Sequence, residues 1–566
     1  MNRFIRRMLI GAIAGAVSSA ALAIFVGGAI WSVPLGIALG AIYSLSLKPT
    51  PFSYLDNLMA AGSFGMPLWG LISVIAIPFF SGQTREWSAE QMREHFPSLA
   101  GWVLYCCLAG LLIQALNDFA RSAWGPESEA EFAAPIERMR IVILGGGFAG
   151  MRVAESLQKR FRTDRSVSVT LVNNTNALLF TPMLAEVAGS SLEASHISTP
   201  LRSLHGVEFI RAHVTGIDLA ARGVHLDSRV EGQDEKTSSR EVPYDHLILA
   251  LGGVSSYLGL ANVEKLALDF KSLLDAIRIR NRVIEMFERA DREPEASARR
   301  PLLTFVIAGG GFAGVELAGA LNDFANGILA DYPNVTREDL CVLLVHARDR
   351  ILPELSESLA QYAQKTMEAR GVRFRLNTRL ADVELGCVKL SDGEVPAETL
   401  VWTAGTAPNP LLKSLPLEKD KRGAVVVDSA LLVPGFPNVW ALGDCAAVHD
   451  AETGKPCPPT AQFALREAEV VAKNIYFQMR GRPTEGFHFD SLGALCVVGH
   501  QTACAELTVP FFRNRSIRFS GLLAWLMWRG IYWSKLPGLE RKVRVLIDWT
   551  IELFFPRDIV QTIDLR

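Results

Sequence analysis

The hexapeptide GGGFAG occurs twice, at Gly145–Gly150 and Gly309–Gly314, each time directly after a short apolar run. The surroundings repeat as well. MRIVILGGGFAGMRVAESLQKRF and LLTFVIAGGGFAGVELAGALNDF both read as apolar strand, glycine turn and amphipathic helix. This order restricts the fold more than any other feature, because a buried strand feeding a helix through a glycine turn opens a βαβ unit with a parallel sheet. The G-x-G-x-x-G positions are filled by Gly145, Gly147 and Gly150 in the first copy and by Gly309, Gly311 and Gly314 in the second. The first glycine permits the tight turn, and the second lets backbone approach a pyrophosphate. The third allows helix to pack closely on strand, while the helix N-terminus attracts negative charge. After the first copy, SVSVTLV supplies the second strand of the unit. A duplicated dinucleotide fold implies two bound nucleotides. If one is FAD and the other NAD(P)H, the pair performs hydride transfer to a flavin.

At 566 residues the chain has room for three or four domains. Its net charge of −2 gives no bulk preference for nucleic acid, and none is expected as a partner. Eight cysteines are scattered with no C-x-x-C pair, which removes sequence support for a zinc site or a dithiol redox centre. No metal is expected. The apolar excess sits at the N-terminus, where no charged residue occurs from Met8 to Leu47, room for two membrane spans with a break at Gly27-Gly28 or near Pro34. Two more candidates follow near 59–80 and 99–116, separated by TREWSAEQMREHF. About four transmembrane helices are therefore expected in 1–125. A cleaved signal peptide is the rival, but apolar sequence continues well beyond any cleavage site. Arg3, Arg6 and Arg7 place the N-terminus in the cytoplasm, and four crossings return the chain to that side. GAIAG (11–15) and GIALG (36–40) suit close helix approach.

The tail differs in kind. From Phe511 to Arg566 ten Lys/Arg face five Asp/Glu, with Trp525, Trp528, Trp533 and Trp549 interleaved. Val543, Leu546, Ile547, Ile551 and Phe554 recur at helical spacing, while Arg541, Lys542, Arg544, Asp548 and Glu552 take other faces. Such a segment fits the membrane interface, and equally an ordinary helix packed on its own domain.

Further motifs follow in order: LFTPMLAEVAG (179–189), YDHLILALGG (244–253), RILPELS (350–356), LVWTAGTAPNP (400–410), NVWALGDCAAV (438–448), PPTAQFALREA (458–468), and FSGLLAWLMWRGIYW with LFFPRDIV. With the two glycine turns they resemble the type II, non-proton-pumping NADH:quinone oxidoreductases over some three-quarters of the chain, leaving the N-terminal helices outside. The resemblance implies an α/β fold of two Rossmann-like dinucleotide-binding domains, the NAD domain inserted in the FAD domain. A helical transmembrane region (1–125) precedes them. Residues 138–260 and 401–490 would form the FAD domain, 261–400 the NAD(P) domain, and 491–566 an amphipathic membrane-associated segment. It further implies FAD and NADH as cofactors, a membrane quinone as acceptor, the lipid bilayer as a partner, and a dimer through the tail. The N-terminal apolar segments and their arginines add the expected place: the inner (cytoplasmic) membrane, multi-pass, with the catalytic domains on the cytoplasmic side.

Residue by residue, the resemblance assigns FAD to Gly145, Gly147, Phe148, Ala149, Gly150, Thr181, Pro182, Ala250, Gly252, Asp444 and Ala461. The nicotinamide nucleotide falls to Gly309, Gly311, Phe312, Gly314, Ala404 and Gly405. Glu316 matches the acidic residue near nicotinamide and flavin, and Gln462 meets the flavin and the quinone pocket. Three positions depart from the pattern. The ribose-binding acid after the second strand is Asn173, whose amide still hydrogen-bonds a diol. The second glutamine of A-Q-x-x-x-Q is Arg466. The acid expected to hold the NADH ribose is His346, with Arg348 close behind. A carboxylate there repels a 2′-phosphate and an arginine accepts one, so NADH and NADPH both fit. Cys445 stands beside Asp444 without a partner, which disfavours sulfide or disulfide chemistry. The rival to quinone reduction is a membrane-tethered redox sensor, or a reductase serving a protein partner.

Overall fold

A computed structural model describes residues 3–26, 29–46, 54–77, 96–124, 138–162, 164, 166–227, 239–508 and 516–561. The chain divides into two units, Met1–Pro135 and Ile136–Arg566. The break expected at Gly27-Gly28 and residues 84–95 of the charged stretch lie outside the described residues.

The first unit is helical. Helix α1 (Arg3–Phe25) lies against α2 (Ala29–Ser46) with glycine backbone in contact. A β-carbon on Gly15 would stand 2.1 Å from the Gly36 carbonyl oxygen, and one on Gly11 2.4 Å from that of Gly40. The two glycine motifs thus face each other. Helix α3 (Tyr54–Ser63) runs on through Gly65–Leu68 into a π-helical stretch, Trp69–Ala76, and α4 (Phe96–Trp124) packs on α1 and α3. Polar side chains join the helices. Trp102 Nε1 donates to Ser73 Oγ at 2.8 Å, Tyr105 to the Gly36 carbonyl at 2.7 Å, and Asn57 to Gln114 Oε1 at 2.6 Å. Among the described residues, three helices are long and apolar enough to cross a membrane: Ile5–Phe25, Asn57–Ala76 and Pro97–Ala120. The α2 helix has 18 residues and carries Pro34 inside, about 27 Å of helix, which is short for a hydrocarbon core of about 30 Å.

The second unit is built on two five-stranded sheets. Their strands are β1 (Met139–Leu144), β2 (Val167–Asn173), β3 (Glu208–Arg211), β4 (His246–Leu249), β5 (Leu268–Asp269), β6 (Thr304–Ala308), β7 (Cys341–Val345), β8 (Val372–Arg375), β9 (Thr399–Trp402) and β10 (Val439–Ala441). The first sheet has the order β10-β4-β1-β2-β3 and the second β5-β9-β6-β7-β8. Every pairing in both is parallel. The run before each GGGFAG is therefore the central strand of its sheet. Ile141–Leu144 and all of β6 are buried, as continuous apolar strands covered on both faces must be.

Each central strand turns into its helix, α5 (Phe148–Arg160) or, past a short helix α6 (Leu184–Ala188), α7 (Phe312–Gly327). Helix α8 (Ala461–Gln478) packs on α5. Behind it a three-stranded antiparallel sheet, Gly493–Gly499, Thr502–Thr508 and Ser516–Ser520, leads to α9 (Gly521–Lys535) and α10 (Leu539–Ile551). The tail helices belong to the core of the second sheet: Trp528, Leu536, Val545 and Trp549 are buried there with residues of α6 and α7. Their other side is apolar and open, with Leu522, Leu523, Leu526, Leu546, Ile547, Ile551 and Phe554 exposed. The inward face is thus packed on its own domain, and the outward face is left apolar and exposed.

Candidate functional site

The two glycine turns are built alike. Gly145 and Gly309 have φ of +105° and +124°, a backbone state open to glycine. A β-carbon on Gly150 would lie 1.8 Å from the Gly145 carbonyl oxygen, and one on Gly314 1.9 Å from that of Gly309. Gly147 and Gly311 have nothing within 4 Å of that position, so their backbone stands open to a ligand. They are the N-caps of α5 and α7, with no side-chain cap and no acidic residue in the first turn. The first-turn N–H groups and the helix dipole are left for an anion such as a pyrophosphate.

The middle glycines have a task that the motif does not announce. Gly146 N–H donates to Asn173 Oδ1 at 2.8 Å, and Gly310 N–H donates to His346 Nδ1 at 3.0 Å. Both partners stand at the end of the strand next to the turn. A β-carbon on Gly146 would meet Asn173 Cγ at 2.9 Å, and one on Gly310 would meet His346 Cγ at 2.7 Å. The Asn173 amide also donates to the Thr175 carbonyl and to Thr175 Oγ1, at 3.0 and 2.9 Å, so its amide hydrogens staple the turn. His346 differs. Its Nδ1 accepts, so the ring proton is on Nε2, which is buried with no partner. Burial, reinforced by the Arg348 charge, holds the pKa of His346 below the usual histidine value.

Around the first turn, Ala250 puts its carbonyl oxygen 2.1 Å from where a Gly145 β-carbon would be, and Gly252 turns with φ +65°. Asp444 follows β10 through Gly443, and burial raises its pKa against the opposing charges of Lys271 and Arg422. Glu467 on α8 is buried and accepts from Gly443 N–H at 2.7 Å. Burial pushes its pKa up to about 7. Cys445 is buried, its Sγ against the Leu249 and Leu442 carbonyls and its pKa raised to about 11, an inert thiol. Around the second turn, Ala404 Cα stands 3.0 Å from a Gly309 β-carbon, and the Ser256 carbonyl 2.6 Å from one on Gly405.

Between the turns a line of rings runs from Phe148 to Phe180 (5.7 Å between centroids), on to Tyr532 (6.2 Å) and to Trp528 (4.9 Å). Thr181 and Pro182 form the turn that follows Phe180. Glu316, in the first turns of α7, accepts from Val497 N–H at 3.4 Å and couples to Tyr532 and to Glu186. Burial pushes its pKa up to about 8. Thus Phe148 of the first turn, the 180–182 loop, Glu316 beyond the second turn and the tail helix α9 come together. Gln462 is engaged elsewhere: its amide donates to Ser491 Oγ (3.3 Å) and the Gly493 carbonyl (3.4 Å) and accepts from Leu492 N–H (3.0 Å). Arg466 is exposed, 5.5 Å over the Phe489 ring and 3.6 Å from Glu469. Lys271 lies in no motif, and Glu467, Glu186 and Tyr532, though inside quoted motifs, join the site in roles that those motifs do not announce. Their partners are distant in sequence.

Residues 139–468 match the pyridine nucleotide-disulphide oxidoreductase family and residues 492–558 the NDH2 C-terminal domain, both within the second unit. The type II NADH:quinone oxidoreductase Ndh of Mycobacterium tuberculosis is 32% identical over 442 residues, covering 75% of this chain and 90% of that protein. The chain belongs to the type II NADH:quinone oxidoreductases. Another relative is the external alternative NADH-ubiquinone oxidoreductase of Yarrowia lipolytica mitochondria, 28% identical over 76% of this chain and 82% of its own length. Among solved structures, NDH2 from Plasmodium falciparum in complex with NADH shares the fold at a TM-score of 0.68 and 18% identity. It covers 75% of this chain and 100% of that one. The two-Rossmann α/β architecture expected of a type II enzyme is the architecture found.

Proposed function

We propose that this type II enzyme is a membrane-held NAD(P)H:quinone oxidoreductase that pumps no protons. Residues 138–260 and 401–490 serve FAD, and residues 261–400 serve the nicotinamide nucleotide. The carrying observation is the convergence of Phe148, the 180–182 loop, Glu316 and Tyr532 between two uncapped glycine turns. FAD, when bound, takes hydride from the nucleotide and passes two electrons on to a quinone. The chain supplies alignment. Gly145–Gly150 cradles one pyrophosphate and Gly309–Gly314 the other, Asp444 meets the ribityl chain, and Glu316, protonated at neutral pH, faces the reacting rings. Gln462 holds the Ser491–Gly493 segment beside them.

At the second turn, His346 offers an N–H donor where a carboxylate would repel a 2′-phosphate, and Arg348 follows two residues on. NADPH is therefore a substrate as well as NADH. The three long apolar helices and the open apolar face of α9 and α10 support attachment to the inner membrane, catalytic domains on the cytoplasmic side. Purified full-length protein with NADH and then a water-soluble quinone tests the reading. Bleaching by NADH and recovery of the flavin spectrum with quinone are expected. Bleaching without recovery would replace quinone reduction by a sensor or a reductase of a protein partner.

A further inference from the structure

Quinone reduction has a proton balance that hydride transfer alone does not close. NADH gives two electrons and one proton, while a quinone becoming a quinol gains two electrons and two O–H bonds. One proton per turnover must come from water. Glu316 stands beside Tyr532 and Val497, half-buried, and once it gives up a proton something must recharge it.

A second carboxylate lies behind it. Helices α6 and α7 touch at Gly189 and Ala320, where a Gly189 β-carbon would stand 3.0 Å from the Ala320 β-carbon. Glu186 and Glu316 lie three and four residues before these two, one helical turn back on each helix, and the Glu186 charge acts on Glu316. Glu186 is enclosed by the tail: its Oε2 accepts from Trp549 Nε1 at 3.1 Å, and its Oε1 is 3.7 Å from Arg529 Nη2. The same Nη2 donates to Glu552 Oε2 at 2.7 Å. Arg529 is itself clasped between Trp525 and Trp549, 4.0 and 4.5 Å from their ring centres. Arg557 meets the other oxygen of Glu552 at 3.3 Å, and His500 Nδ1 lies 3.9 Å from it. The Glu552 side chain is 7% exposed and that of His500 38%, so the chain of groups ends in water at His500.

Resting on the function proposed above, we propose that Glu186, fed from His500 through Glu552, is the inlet that carries the water-derived proton to Glu316. A proton leaves the Glu316 carboxyl to form a quinol O–H bond. Glu186 returns one to Glu316, and Glu552 with His500 reloads Glu186 from water. The charged groups facing Glu186 are Arg529 of α9, Glu552 and Arg557 of the tail and Glu316 of α7. Burial raises the Glu186 pKa to about 7 even against two arginines, so the group both holds and releases a proton near neutrality. Two arginines, two glutamates and two tryptophans would clamp the tail whether or not protons move. The test must therefore separate a relay from a clamp.

Full-length Glu186→Gln keeps an oxygen for Trp549. Its flavin is expected to be bleached by NADH at the wild-type rate but reoxidised by a soluble quinone about ten- to a hundredfold more slowly. A small weak acid such as formic acid in the buffer should restore that rate, which no structural defect would allow. Glu186→Asp should recover much of it, and Glu552→Gln should show the same selective loss. Independently of turnover, the infrared absorption of protonated carboxyls that titrates near neutral pH should lose one component in Glu186→Gln, with those of Glu467 and Glu316 remaining. Reoxidation at the wild-type rate overturns the relay. So does a Glu186→Gln and a Glu552→Gln that both lose bound flavin and thermal stability without weak-acid rescue. A wild-type flavin that quinone does not reoxidise would instead sink the proposed function itself.

Discussion

At Gly310 the His346 imidazole leaves 2.7 Å for a β-carbon, and the glycine N–H fixes which ring nitrogen is bare. That bond makes His346 a donor at Nε2. His346→Glu puts an anion in its place, and the ratio of kcat/KM for NADPH over NADH should fall by at least about tenfold, or 1.4 kcal/mol. An unchanged ratio would remove His346 from nucleotide selection. The role of Gly310 was not legible in GGGFAG, because the residue that needs it lies 36 positions away. Glu467 shows the same limit: nothing near it in sequence signals a buried acid under Gly443 N–H. Its pKa is about 7 folded against 4.5 ordinarily. Its contribution to stability is therefore full below about pH 4.5 and lost as pH rises through 7, on the order of 3 kcal/mol. Glu186 and Glu316 act in the same direction. Thermal midpoints should fall from pH 5 to pH 8, and Glu467→Gln, which retains an acceptor for Gly443, should reduce the fall. An equal slope in the variant would refute that share.

Elements were legible where one short stretch carries the whole reason for them. Strands β1 and β6 are apolar and lead straight into glycine turns, so their place at the centre of parallel sheets follows from local sequence. GAIAG and GIALG likewise announce close helix approach, and α1 and α2 meet there backbone to backbone. Gly15→Ala should already force these helices apart, at about 1–3 kcal/mol. A lower thermal stability of the N-terminal helical unit in detergent, with NADH bleaching of the flavin unaltered, is the expected result. Gly70 makes a control, since no atom lies within 4 Å of its β position. Equal effects at Gly15 and Gly70 would mean that the glycine contact does not hold the pair. The α10 helix was half legible. The stripe of Leu546, Ile547, Ile551 and Phe554 is exposed as a stripe. Glu552, which helical periodicity put on a polar face, instead turns inward to Arg529 and Arg557, and no period predicts a buried ion cluster.

Across the whole molecule the tail presents two unlike faces. The inward face, through Trp528, Trp549, Arg529 and Glu552, completes the core next to Glu316. The outward face presents Leu522, Leu523, Leu526, Ile547 and Ile551 on helices that also carry Arg541, Lys542 and Arg544, a composition that settles at a lipid surface. Among the described residues, three helices are by length and composition able to cross a bilayer. On the function proposed above, the outward face is expected to bring the site to where a lipid-dissolved quinone resides rather than to supply the attachment. Ile547→Glu with Ile551→Glu changes only exposed positions, so folding, flavin content and turnover with a water-soluble quinone should match the wild type. Turnover with a long-chain quinone in vesicles should fall several-fold, while the protein still sediments with the vesicles. Loss with both quinones would mean that the substitutions reach the site. Loss with neither would leave the apolar face without a part in quinone access.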